Sequence, residues 1–177
     1  YLNKESLEAL MRLMDSEIGL GEMLDIKNWM NALIVLLASG GSTNLVIHLI
    51  AMARSAGYIL TIEDFNDLSS IIPLLCQVYP NGTADVNEFH SEGGIARLLS
   101  NLMEGDLIYK DIETVAGFGL ESYTKIPYID KKNAKNLKWK DLDQNQNTKS
   151  ISTIDNTLKC NGGIKLVGGD IAEREIK

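Results

Sequence analysis

Between Trp29 and Ala38 the chain is apolar at every position except Asn31. A helix of that composition has no polar face to turn toward water, so it must be covered on all sides. Its longest unbroken apolar run, Ala32 to Ala38, falls far short of the roughly 18 to 20 residues that cross a bilayer. The segment therefore reads as the spine of a helical body larger than a small domain offers, and no membrane partner is expected.

The flanking segments carry helix signals of their own. Leu7, Leu10, Met11 and Met14 recur at helical spacing and predict an amphipathic helix over Asn3 to Asp15, with Asn3 or Ser6 capping its start. A Gly19-Leu20-Gly21 break precedes the apolar helix and Gly40-Gly41 ends it. Ser42-Thr43-Asn44 then opens a helix running through Ala56, with Gly57 as its stop. Thr61 with Asp64 three residues on resembles a capping box for a helix over Ile62 to Ser70, and Pro73 breaks the pattern. Asp85 followed by Glu88 starts another short helix. Gly93-Gly94 separates it from Ile95 to Glu104, which Gly105 stops. Through about Gly119 the expected structure is mostly α-helical, with glycine-rich turns.

From Asp130 to about Gly163 the composition changes. Asn133, Asn136, Asn145, Asn147, Asn156 and Asn161 sit among Lys, Asp, Gln, Ser and Thr, which predicts an exposed polar crossing between domains. Past it, Ile164 to Val167 alternates apolar and polar, Gly168-Gly169 turns, and Ile171 to Ile176 reads as a second strand. The first residue is not Met, and the last residues follow directly on the start of a β element. The expectation is a piece of a longer protein.

Charge and cysteine usage narrow the function classes. Lys and Arg number 17 against 24 Asp and Glu, a formal charge of −7. The one Lys-rich stretch, Lys131 to Lys140, is flanked by acids at Asp130, Asp141 and Asp143, so a general nucleic-acid binder is excluded. Cys76 and Cys160, with no signal peptide ahead of them, are expected as free thiols in a reducing, cytoplasmic compartment. Two cysteines are too few for a cluster that takes three or four thiolates, and His48 and His90 make no metal site by spacing. No complete metal site is expected within the chain.

The most informative local feature is Gly40-Gly41-Ser42-Thr43-Asn44 between two apolar helical runs. Two glycines permit close backbone approach, and the helix N-terminus that follows points unpaired N–H groups outward, a geometry suited to an anionic ligand. The same residues also suit a tight helix-to-helix turn in which Ser42 or Thr43 is an ordinary cap. It is not a Walker motif, since no Gly-Lys-Ser/Thr follows. His48 lies one helical turn after Asn44, on the same face. Its apolar neighbours suggest a hydrogen-bonded core histidine, and its position suggests a backing group for whatever the turn binds. His90, beside Glu88 and Glu92, reads as exposed or capping. Cys76, following Ile71 to Leu75, reads as a small buried hydrophobe. Tyr79-Pro80-Asn81-Gly82-Thr83-Ala84-Asp85 reads as a turn whose Pro and Asn-Gly supply the dihedral requirements.

Gly40-Gly41-Ser42-Thr43-Asn44 with His48-Leu49, an Ala-Gly helix end, Asp64-Phe65 and Pro73 together resemble the dihydroxy-acid and phosphogluconate dehydratase family. Val78 to Gly82, Ala84 to Asn87, Gly93-Gly94, and Thr114 to Leu120 with Tyr123-Thr124 resemble its phosphogluconate branch. The resemblance covers about Ile18 to Tyr128 and returns at Gly162 to Lys165. It implies an α/β enzyme with an N-terminal domain and a C-terminal β-barrel-like domain. Residues 1–128 would be the closing, mainly helical part of the first domain, 129–162 a linker and 163–177 the opening strands of the second. The implied activity is dehydration of 6-phospho-D-gluconate to 2-keto-3-deoxy-6-phosphogluconate in the Entner–Doudoroff route, with an open iron site as Lewis acid on the C3 hydroxyl. A 4Fe-4S cluster and Mg²⁺, both ligated mainly outside these residues, are the implied cofactors. A homodimer is the implied assembly, and the phosphorylated sugar acid and the rest of the enzyme chain are the implied partners. Gly41, Ser42, Thr43, Asn44 and His48 are the implied substrate-binding residues. Another dihydroxy or aldonic acid as substrate, and a non-enzymatic helical interaction module, are the competing readings.

Overall fold

The computed structural model describes residues 1–79, 81–130, 137–168 and 175–176. Among them are seven helices and three two-stranded antiparallel pairs: α1 Leu2–Ser16, α2 Leu20–Met23, α3 Ile26–Ser39, α4 Thr43–Ser55, α5 Ile62–Ser69, α6 Val86–Ser91, α7 Gly94–Glu104, β1 Glu113–Thr114, β2 Gly117–Phe118, β3 Ile126–Ile129, β4 Leu137–Lys140, β5 Leu166–Val167 and β6 Glu175–Ile176. The strand expected over Ile171 to Ile176 is described only at β6, which pairs with β5; Ile171 and the Gly169 turn lie outside the described residues.

α3 is the spine that its composition demands. Asp25 caps it by accepting from the Asn28 amide at 3.1 Å, and Leu33, Leu36, Leu37 and Ala38 are at most 2% exposed. Around it pack Val46, Leu49 and Ala53 of α4, Phe65 of α5, and Leu98 and Leu102 of α7. Its one polar exception pairs with backbone: the Asn31 side chain donates to the Tyr109 carbonyl at 2.8 Å and accepts from the Tyr109 amide at 2.9 Å. Both halves of a buried amide are thus satisfied, which an apolar interior requires.

An extended segment, Leu74 to Val78, lies against the end of α3. The Leu75 and Cys76 amides donate to the Ala38 carbonyl at 2.8 and 3.3 Å. Its other edge is paired with the Asn-rich segment: Leu74 donates to Lys159 at 3.0 Å, Gln77 to Ser150 at 2.9 Å, and Ser152 to Leu75 at 2.8 Å, all through backbone groups. The expected exposed crossing is therefore exposed only in part. Leu142, Ser150 and Ile151 are buried, and β3 and β4 form a hairpin where no strand was expected, its charges paired through Lys138 to Asp130 at 2.8 Å and Lys125 to Asp141 at 3.9 Å. Asn133 and Asn136 lie outside the described residues.

Glu92 anchors that segment. Its carboxylate, 8% exposed, accepts from the Lys149 amide at 2.8 Å, the Ser150 amide at 2.8 Å and the Ser150 hydroxyl at 2.5 Å. Buried Arg97 donates to the carbonyls of Glu92 and Asp143, both at 2.7 Å. Burial alone would raise the Glu92 carboxyl, but the Ser150 and Lys149 hydrogen bonds and the nearby guanidinium outweigh it and hold the group below the usual carboxylate range.

Two other expectations are revised. Neither Asn3 nor Ser6 caps α1, which starts after Tyr1; both lie inside the helix, and the Ser6 hydroxyl donates to the Leu2 carbonyl at 2.9 Å. α2 begins inside the Gly19 to Gly21 break, its start capped by the Gly19 amide donating to the Glu22 carboxylate at 3.0 Å. No residue of α1 is buried, and Leu7, Leu10, Met11 and Met14 are each more than half exposed.

Two outcomes test this packing. A Cβ on Gly163 would stand 2.4 Å from the Gly40 Cα, whereas one on Gly21 would meet nothing. Gly163→Ala is expected to cost about 1 to 3 kcal/mol in denaturant unfolding while Gly21→Ala is neutral or slightly stabilising. Because the folded Glu92 carboxyl is depressed, its contribution is present above the unfolded value of roughly 4.3 and is lost as pH falls through the lower folded value. Glu92→Gln is therefore expected to lower stability at neutral pH and to flatten the acid limb of a melting-temperature profile.

Candidate functional site

The turn between α3 and α4 is built by chain geometry first. Gly40 takes the left-handed conformation at φ 63° and ψ 39° that ends α3, and the Gly40 and Gly41 amides donate to the Leu37 and Leu36 carbonyls at 3.3 and 3.0 Å. Ser42 then caps α4, its hydroxyl accepting from the Asn44 amide at 3.2 Å while its carbonyl accepts from the Leu45 amide at 2.9 Å. The Thr43 amide is left without a partner among the described residues, at the end of the helix where the dipole is positive.

The close approach that two glycines permit is made by the chain's own backbone. Gly163 packs on the Gly40 Cα and donates its amide to the Leu37 carbonyl at 2.9 Å. The Asn81 side-chain amide donates to the Gly40 carbonyl. A cleft of about 550 Å³ opens beside this junction, walled by Ser39 to Thr43, Val78, Tyr79, Asn81, Val86, Phe89, Ile95, Gly163 and Ile164, with Cys76 among its lining residues. None of these described side chains carries a charge at neutral pH. An anion held here would rest on backbone N–H groups and the helix terminus, with any cations brought from elsewhere.

Of the expected substrate-binding residues, the structure brings Gly41, Ser42 and Thr43 into the cleft wall. Asn44 and His48 are exposed one turn apart on α4, outside the lining. The reading of His48 as a core histidine is thereby corrected: Val46, Leu49 and Ala53 form the narrow buried stripe of α4, and His48 points away from it. His90 is exposed, as expected. Sequence reasoning missed Asn81 and Gly163. Gly82 was a signal for the first, but for another reason than turn dihedrals: its φ is not positive, and a Cβ there would stand 2.2 Å from the Gln77 backbone. The Gly162-Gly163 pair signalled the second.

Neither cysteine suits a cluster. Cys76 is 1% exposed and burial pushes its thiol up to about 12, far from the thiolate that iron requires; Cys160 is exposed and unpaired. Among the described residues no three His, Cys, Asp or Glu side chains converge. The described residues by themselves do not fit a metal or cluster site.

Residues 2–123 match the family described as "Dihydroxy-acid/6-phosphogluconate dehydratase N-terminal". The chain is 38% identical over 159 residues to the phosphogluconate dehydratase of Escherichia coli (strain K12) and 41% identical over 160 residues to that of Rhizobium meliloti (strain 1021), in each case covering 89% of this chain and 26% of the relative. It is 32% identical over 172 residues to the dihydroxy-acid dehydratase of Sulfurisphaera tokodaii, covering 95% of this chain and 28% of the relative. The chain spans about a quarter of the length of the curated relatives it matches. It belongs to the dihydroxy-acid/6-phosphogluconate dehydratase family.

The two thiols differ enough to be separated chemically. Alkylation of the native protein near pH 8, read by mass spectrometry, is expected to modify Cys160 and spare Cys76 until denaturant is added.

Proposed function

We propose, from this family membership, that the chain is part of a hydro-lyase that dehydrates 6-phospho-D-gluconate to 2-keto-3-deoxy-6-phosphogluconate in the Entner–Doudoroff route. The observation that carries the reading is the higher identity to phosphogluconate dehydratases than to the dihydroxy-acid dehydratase. In such a reaction the C2 proton and the C3 hydroxyl leave as water, and the resulting enol tautomerises to the keto acid. The chain's own contribution is substrate holding. Gly41, Ser42 and Thr43 would meet an anionic group of the substrate at the α4 terminus, with Asn44 and His48 on the adjoining face.

The 4Fe-4S cluster and Mg²⁺ of the resemblance, and the base that takes the proton, are assigned to parts of the enzyme outside these residues. Residues 1–128 would close the first domain, 129–162 would link and 163–177 would open the second. The exposed apolar residues of α1, together with Leu45, Ile47 and Met52 of α4, support further covering protein, either the remaining enzyme chain or the second copy of a homodimer. The free thiols support a cytoplasmic setting, and no helix among the described residues is long and apolar enough to cross a membrane.

The test is the whole protein, produced without oxygen and assayed on 6-phosphogluconate. The keto product is expected, with Ser42→Ala raising KM about tenfold at little cost to kcat, as expected for loss of uniform binding. Activity on 2,3-dihydroxyisovalerate with none on 6-phosphogluconate would move the enzyme to the dihydroxy-acid branch, and no dehydration of any such acid would leave the interaction module.

A further inference from the structure

We infer that Asn81 is a positioning residue of the substrate turn: its side-chain amide fixes the Gly40 carbonyl and through it the direction in which Gly41, Ser42 and the first amides of α4 face the cleft. The inference rests on the reading that substrate binds at this turn.

Gly40 is fixed at three points. Its amide is bonded to the last carbonyls of α3, its Cα is pressed by Gly163, and its carbonyl receives the Asn81 amide. The first two are backbone contacts. The third is the one made by a side chain, reaching from a segment 41 residues further along the chain. Only Gly40 and Gly41 lie between the end of α3 and the Ser42 cap, so rotating the Gly40 peptide swings the cap and the unpartnered Thr43 amide with it.

The backbone around Asn81 holds it still. The Asn81 and Gly82 amides both donate to the Val78 carbonyl, at 3.0 and 3.1 Å, Tyr79 donates to the Ala84 carbonyl at 2.8 Å, and Gly82 sits so close to Gln77 that no side chain fits. A carbonyl needs a donor opposite it, and the amide supplies one where a carboxylate of the same shape supplies none. Asn81 also lines the cleft beside Gly40 to Thr43, so the residue that orients the turn borders the space the turn faces.

The whole enzyme is the test system, with steady-state kinetics on 6-phosphogluconate and a thermal melt for each variant. Asn81→Asp is expected to raise KM about tenfold with kcat within about threefold, because a displaced turn weakens holding without touching the reacting atoms. Asn81→Gln, which keeps the donor on a longer stem, is expected to fall between the two. A purely structural role predicts the opposite split, a kcat lowered in step with the folded fraction at unchanged KM, and that result overturns the inference. If Ser42→Ala raises KM and Asn81→Asp does not, the inference fails and the turn remains the substrate site. If neither changes KM, the reading of the turn as the substrate site fails with it. Should Asn81→Asp not fold, Asn81→Ser is judged by the same criteria.

Discussion

The carbonyl groups at the C-terminus of α3 organise this protein. Every α-helix leaves its last carbonyls unpaired, and in a buried helix each needs a partner from elsewhere. Here the partners come from separate segments. Leu37 receives the Gly163 amide, Ala38 receives the amides of Leu75 and Cys76, and Gly40 receives the Asn81 side chain. One helix end thus gathers the extended segment, the turn after it and the strand-bearing end of the chain. The cleft lies at this junction because it is where these segments meet.

A second anchor is electrostatic. Glu92 and Arg97 are both buried, and each is bonded mainly to backbone rather than to the other, the carboxylate to amides and a hydroxyl, the guanidinium to carbonyls. Opposite charges placed near one another reduce the cost of burying each, while the directed hydrogen bonds specify which loop is held. The arrangement docks residues 143–150 against the start of α7 although that stretch offers few apolar side chains. Asn101 extends the same strategy by donating to the Ser152 carbonyl at 2.8 Å.

What was legible in the sequence follows from the range of the interactions involved. Thr61 with Asp64, Asp85 with the Glu88 amide, and Gly40 at its helix end are local devices, and the structure contains each. The apolar spine was legible because no alternative burial satisfies nine apolar residues in ten consecutive positions. The strands β1 to β4 were not, since so short a run carries no periodicity. The docked Asn-rich segment escaped because its partners, Glu92 and the 74–78 backbone, are distant in sequence and ordinary in type. At the candidate site the glycine pair pointed to a close approach but not to its object. That object is this chain's own Gly163, so part of the motif is explained by packing, and Ser42, Thr43 and the cleft beside them carry what remains.

The contact between Gly40 and Gly163 also sets an order of events during synthesis. α3 and α4 lie within the first half of the chain and have their helical neighbours α5 and α7 in hand once α7 has emerged, while the extended segment 74–78 still lacks the edge that residues 150–159 supply. The Leu37 carbonyl, already bonded to the Gly40 amide, gains its second donor from an amide made well over a hundred residues later, and such distant closures come late because their loop entropy is settled last. On a ribosome adding about 5 to 20 residues per second, the helical body has seconds to form while one wall of its cleft is still missing. A nascent chain halted before residue 163 would therefore hold a folded core and an unfinished pocket.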